Sequence, residues 1–293
     1  SNESSIHLFI LFETFVFFSS ILFNTIDSTY DNGAMLFYLH LQDIYQFDDV
    51  FYLSNDIISE YGYYFCLITL IDTIIFHTAA VPISRIKNPS AVEFRRGSVD
   101  TTTNIFECMN FFQNNTKFKF KRFLYISSSM VYGDFKKNIA SEEDQLHPKE
   151  MYGTMKLAGE IITRGLGIAY NIPYTIIRPS AVYGPTDMNE RVTQFLLMKA
   201  FFSEYSSANK DKLLEIHGKD EKLDFTYVED IAAGCVTAAV KKQGTNNVFN
   251  ITFGKGRTIL SYAKILKQYF KDIKFKIIQR DKSRPKRGTL SIK

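Results

Sequence analysis

Residues 121–133 read KRFLYISSSMVYG, and 174–178 read YTIIR. Each is a short apolar run too continuous for a strand with one wet face. Between them, 150–170 has the length and spacing of a helix, and carries Tyr152-Gly-Thr-Met-Lys156. Strand, helix, strand at this spacing is a βαβ unit, which implies parallel strands buried on both faces. The pattern spreads outward. Candidate strands are 21–26, 36–41, 72–76 and 247–251, and candidate helices are 98–113, 190–204, 228–241 and 258–270. With right-handed crossovers the expectation is an α/β fold, a doubly wound parallel sheet that binds ligands at the carboxyl ends of its strands.

The more polar segments 184–220 and 253–293 read as a small substrate-binding part outside the sheet. The dinucleotide-type sheet domain is then 1–183, with 221–252 returning to it.

The composition of the 293 residues suits a globular protein: 45% hydrophobic, 23% charged, with a net charge of +4. Nothing in it forms a basic stripe with interleaved aromatics, so nucleic acid is not an expected partner. Cys66, Cys108 and Cys235 are far apart. They form neither a disulfide framework nor a zinc set, and the chain is expected in a cytoplasm, without a metal. Residues 6–23 (IHLFILFETFVFFSSILF) are apolar, but Glu13 interrupts them and no basic residue flanks them. A membrane span or signal peptide is therefore not expected.

The chemistry gathers around the first βαβ unit. On a helix Tyr152 and Lys156 share a face. A nearby ammonium favours a phenolate, so Lys156 is expected to lower the pKa of Tyr152 and to offer hydrogen bonds to a ribose. The hydroxyls of 127–129 follow a strand, where this fold binds ligands. Ser128 is placed to bond the oxygen that exchanges a proton with Tyr152. Further on lie 178–185 (RPSAVYGP) and 223–232 (LDFTYVEDIA). In the latter, Glu229 and Asp230 read as acids at a helix N-terminus.

YISSSMVYG, YGTMK, RPSAVYGP and LDFTYVEDIA, in that order, resemble the extended short-chain dehydrogenase/reductase family, and most of all its nucleotide-sugar epimerases and dehydratases. His77-Thr-Ala-Ala80 with 98–107, and the tail 284–291 (RPKRGTLS), resemble further segments of that family. The resemblance runs from about residue 72 to the end. It implies Ser128, Tyr152 and Lys156 as catalytic residues, with Tyr152 as the base. It implies NAD, in preference to NADP, as cofactor, contacted by Asp27, Asp43, Ile44, Ala79, Ala80, Tyr152 and Lys156. Ser129, Arg178, Ser180 and Arg287 are the implied substrate ligands, with Arg284 a second phosphate-facing candidate. A homodimer through 98–113 and 150–170 is implied as well.

The sequence departs from that family in three places. Residues 1–84 hold no Lys or Arg, only two glycines (Gly33 and Gly62), and no GxxGxxG loop. A Rossmann-like sheet lacking the usual first strand and glycine loop is expected. The chain is a fragment opening after that loop, a corrupted N-terminal sequence, or a divergent protein. Leu223 stands where many members have an arginine before Asp-Phe. Ser129 and Met130 stand where 4,6-dehydratases have an acidic pair. The implied function is epimerisation of a nucleotide-diphosphate sugar, at C4, by transient hydride transfer with NAD. The alternatives are a net oxidoreductase of the 3β-hydroxysteroid type and a non-catalytic or truncated relative that no longer binds the cofactor.

Overall fold

The computed structural model describes residues 74–79, 90–115, 119–185, 187, 191–205, 213–281 and 285–292. The expected strands 21–26 and 36–41 and the apolar stretch 6–23 lie outside them.

The main strands are β1 (Ile74–His77), β2 (Arg122–Ile126), β3 (Tyr174–Pro179), β4 (Leu213–His217), β5 (Asn247–Ile251) and β6 (Lys274–Ile278). The main helices are α1 (Thr101–Asn115), α2 (Met151–Ala169), α3 (Val192–Tyr205), α4 (Val228–Val240) and α5 (Ile259–Tyr269). Strands β1, β2, β3 and β5 form one sheet in the order β1-β2-β3-β5, and all its pairings are parallel. This is the Rossmann-like arrangement that the βαβ pattern predicts.

Alternation along the strands sorts side chains to two faces. Ile75, Phe123, Tyr125, Tyr174 and Ile176 pack with Phe106 and Met109 of α1 and with Leu166 of α2. Leu124 and Ile177 point the other way, onto Ile231, Cys235 and Ala239 of α4. Both faces are largely covered, so these strands are mostly apolar, with Arg122 and Arg178 buried among them. Close packing makes one glycine indispensable. A Cβ on Gly159 of α2 would lie 2.1 Å from the Tyr125 hydroxyl.

Helix boundaries follow their caps. The helix expected from residue 98 begins earlier, at Ala91. Ser90 and Glu93 form a capping box: Ser90 Oγ accepts from the Glu93 amide over 3.2 Å, and Glu93 Oε2 accepts from the Ser90 amide over 2.6 Å. That Ser-x-x-Glu signature fixes the start. A π turn at Arg96–Asp100 then joins this first turn to α1. Glu229 and Asp230 do occupy the first turn of α4, where negative charge is favoured.

A second core lies outside the sheet. Leu196 and Ala200 of α3, Leu214 and Ile216 of β4, Ile259, Ala263 and Leu266 of α5, and Ile273 cluster together. There β4 and β6 pair in parallel. Leu223 packs against this cluster. Among the described residues, no helix is long and apolar enough to cross a membrane.

Candidate active site

The carboxyl ends of β1, β2 and β3 converge on a group of polar side chains. Past Ile126, Ser128 caps a single 3-10 turn, Ser129–Tyr132, and its hydroxyl accepts from the Met130 amide over 3.2 Å. That turn faces the first turn of α2. A Cβ on Gly153 would lie 2.7 Å from the Met130 carbonyl oxygen, so glycine there allows the close approach. Tyr152, half-buried, is thereby brought close enough to Ser128 for that hydroxyl to act on its phenol. One turn along α2, Lys156 is 2% exposed, and its Nζ donates to the Ile126 carbonyl over 2.7 Å. The same Nζ lies 5.3 Å from the centre of the Tyr125 ring and 5.9 Å from that of Tyr152. The structure thus brings Ser128, Tyr152 and Lys156 together.

The electrostatics differ from the sequence expectation. Burial raises the Tyr152 phenol above its ordinary value, while Arg191, the Ser128 hydroxyl and Arg287 pull it back. The lowering cations are thus Arg191 and Arg287, not Lys156. Burial also brings Lys156 down to about 7, against the opposing pull of Glu160, so near neutral pH it is only partly a cation. Arg191 carried no sequence signal, since it follows the recognisable VYGP run by several residues. Its Nη1 donates to the Val182 carbonyl over 2.9 Å.

Three of the expected substrate ligands meet. Arg287 Nη2 donates to the Ser129 hydroxyl and, over 3.4 Å, to that of Ser180. Its Nη1 faces the Met130 sulfur, and its buried Nε has no hydrogen-bond partner. Burial lowers this guanidinium to about 10, with Glu150 and Tyr152 acting to keep it charged.

Arg178 is a correction. Expected as a substrate ligand, it is 1% exposed and turned into the protein. Its Nε and Nη2 grip the Glu160 carboxylate over 2.9 and 2.7 Å, and Nη1 donates to the Tyr132 hydroxyl over 3.0 Å. Ser127 donates to the same carboxylate over 2.5 Å. Arg178 and Glu160 therefore lock α2 to β3 beneath the site. Sequence reading missed Glu160 because its partner lies 18 residues away on another element.

His77 closes β1. It is 3% exposed, bonds Thr102 Oγ1 through Nε2 over 3.1 Å, and is held down to about 3 by burial and then by Lys156. It is a neutral packing residue. Ala79 follows it, half-buried. Asp27, Asp43, Ile44, Ala80 and Arg284 lie outside the described residues. Among the described residues, no group of His, Cys, Asp and Glu could hold a metal ion.

Comparison with known proteins gives the chain its family. Residues 67–252 match the NAD dependent epimerase/dehydratase family. Uncharacterized protein y4nG of Sinorhizobium fredii is 33% identical over 141 residues, 48% of this chain and 33% of that protein. A trifunctional UDP-glucose 4,6-dehydratase/UDP-4-keto-6-deoxy-D-glucose 3,5-epimerase/UDP-4-keto-L-rhamnose-reductase of Arabidopsis thaliana is 26% identical over 225 residues, 75% of this chain and 32% of that protein. The chain thus spans about a third of the length of these curated relatives. Among solved structures, the UDP-glucuronic acid 4-epimerase of Bacillus cereus, in complex with UDP-glucuronic acid and NAD, has a TM-score of 0.64. It is 27% identical, with 76% of this chain and 67% of that one covered. With its motifs in family order, a matching fold and a family match over more than half its length, the chain belongs to the NAD dependent epimerase/dehydratase family.

Proposed function

We propose that this protein epimerises a nucleotide-diphosphate sugar at C4, using NAD, with Ser128, Tyr152 and Lys156 as its catalytic residues. The observation that carries the reading is that Tyr152 and the buried Lys156 lie one turn apart on α2, with the Lys156 amine 5.9 Å from the Tyr152 ring and bonded to the carbonyl of Ile126 at the end of β2, next to Ser128. The donor set fits a dinucleotide. A phenol and an amine on one helix face, at the carboxyl ends of parallel strands, suit a ribose diol. Tyr152 and Lys156 would hold the cofactor's ribose, with Ala79 beside it; Asp27, Asp43, Ile44 and Ala80 are proposed for the rest. When bound, NAD supplies a reversible acceptor for the hydrogen at the sugar carbon.

The protein's own part is proton movement and positioning. Tyr152 Oη takes the proton of the sugar 4-hydroxyl and returns it, while Ser128 Oγ holds the same oxygen. Arg191 and Arg287 favour the phenolate that this requires. Arg287, flanked by Ser129 and Ser180, faces the nucleotide's phosphates, and its partnerless Nε is a donor left for them. The second core, α3 with β4, α5 and β6, forms the substrate-side part. Exposed Phe111 on α1, and Ile161 and Ile168 on α2, suit pairing with a second copy. A cytoplasmic setting fits the free thiols of Cys108 and Cys235.

Epimerisation is favoured over 4,6-dehydration because Ser129 and Met130, both engaged by Arg287, stand where an acid would be needed. Leu223, the feature favouring a steroid-type dehydrogenase, belongs to the packing of the second core. The test is turnover. The full chain with NAD is given UDP-glucose, UDP-galactose or UDP-glucuronic acid, and the products are followed by proton NMR. Appearance of a C4 epimer, slowed ~1,000-fold by Tyr152→Phe, is expected. Net accumulation of NADH with an oxidised product would replace epimerase by dehydrogenase.

A further inference from the structure

Residues 285–292 cross the molecule as a strap that carries Arg287. On one side of Arg287, the Lys286 amide donates to Asp134 Oδ1 over 2.6 Å, and the Lys286 carbonyl accepts from the Phe135 amide over 2.9 Å. On the other side, Thr289–Leu290 pairs in parallel with Ile139–Ala140, and Leu290 packs among Val131, Tyr132 and Phe135. There the strap also meets Asp224, the aspartate of the LDF run. Asp224 Oδ2 accepts from the Leu290 amide over 3.2 Å, and Oδ1 accepts from the Lys255 amide over 3.3 Å.

Asp224 is 0% exposed. Burying a carboxylate is costly unless strong donors meet it, and hydrogen bonds to an ionised acceptor are the strong kind. Its two oxygens face donors from two segments, the loop after β5 and the strap. An amide side chain offers a single acceptor oxygen and cannot serve both.

We propose that Asp224 is a positioning residue of the active site: by gripping the Leu290 amide it holds the strap in register, and so sets the Arg287 guanidinium against Ser129 and Ser180. Its effect on ligand rests on the nucleotide-sugar reading above. Asp224 touches no substrate and acts only through Arg287.

The test uses Asp224→Asn, Arg287→Met and the double variant in the full chain, with two readouts. Amide hydrogen exchange reads the strap directly, and calorimetry with UDP reads the site. Asp224→Asn is expected to speed exchange in 286–291 while leaving β2 and β3 protected. UDP binding is expected to weaken about tenfold in each single variant, with the double no weaker than Arg287→Met alone. Equal weakening by Asp224→Asn with and without Arg287 would overturn the proposal. So would exchange opened across β2 and β3, which would make Asp224 a general staple of the fold. UDP binding indifferent to Arg287→Met would refute the nucleotide role of Arg287, while exchange opened only in the strap would still uphold the grip of Asp224.

Discussion

Lys156 donates its buried amine to the carbonyl of Ile126, over 2.7 Å, at the point where β2 ends. One contact thus ties a helix-borne amine to the sheet edge that the site is built on. Its consequence is thermodynamic as well as chemical. The folded amine titrates at about 7, against 10.5 for an ordinary lysine. Between those values the unfolded chain binds the extra proton, so stability rises with pH. The destabilisation is fully present below pH 7. Compared with Lys156→Met, the native chain should gain stability from pH 7 to 10, with a slope approaching about 1.4 kcal/mol per pH unit. Urea unfolding across that range checks it, and parallel curves for the two proteins would refute it.

His77 gives the opposite end of the pH scale. Its folded value of about 3 lies below the ordinary 6.5, so the unfolded chain takes up the proton first as pH falls. Its contribution is intact above 6.5 and lost progressively toward 3. A His77→Gln variant should therefore lose less stability than the native chain over that window. An unchanged acid dependence in the variant would show that His77 is solvated.

Glu160 and Arg178 are each 1% exposed and bonded to one another through two contacts. Removing one partner leaves a buried charge alone. Glu160→Gln should cost about 3–5 kcal/mol by denaturant unfolding, and so should Arg178→Met. The pair replaced together by apolar residues should cost far less than the sum. Additive losses would mean that the pair is not coupled.

Gly159→Ala tests the packing of α2 on β2. The new Cβ would sit 2.1 Å from the Tyr125 hydroxyl and 2.5 Å from the ring carbon that bears it. A loss of ~1–3 kcal/mol is expected. Adding Tyr125→Phe should not restore it, because the ring carbon remains too close. Full rescue by phenylalanine would contradict this geometry.

Much of this was legible in the sequence, for a physical reason. Strands covered on both faces are rich in apolar residues, so 121–127, 174–178 and 247–251 stood out and recur as β2, β3 and β5. Strands β4 and β6 did not. They form a two-stranded pair, and β6 alternates lysine with apolar residues in a segment that reads as polar tail. The site divides the same way. Tyr152 and Lys156 announce themselves because i, i+4 spacing puts them on one face. Arg178 was visible as a residue, but its role was not. A charged side chain in a motif looks like a ligand until its buried partner on α2 is seen. Asp224 lay in a legible motif too, yet its grip on Leu290 spans 66 residues of chain. The cations beside Tyr152 are equally non-local, for Arg287 arrives from the far end of the chain.

The central claim is that Ser128, Tyr152 and Lys156 form a working dinucleotide site. Calorimetric titration of the folded 293-residue chain with NAD tests it most directly. The account predicts micromolar binding, weakened about tenfold by Lys156→Ala, which removes a charge-assisted hydrogen-bond donor to the ribose. A folded chain that releases no heat with NAD and turns over no UDP-sugar would contradict it.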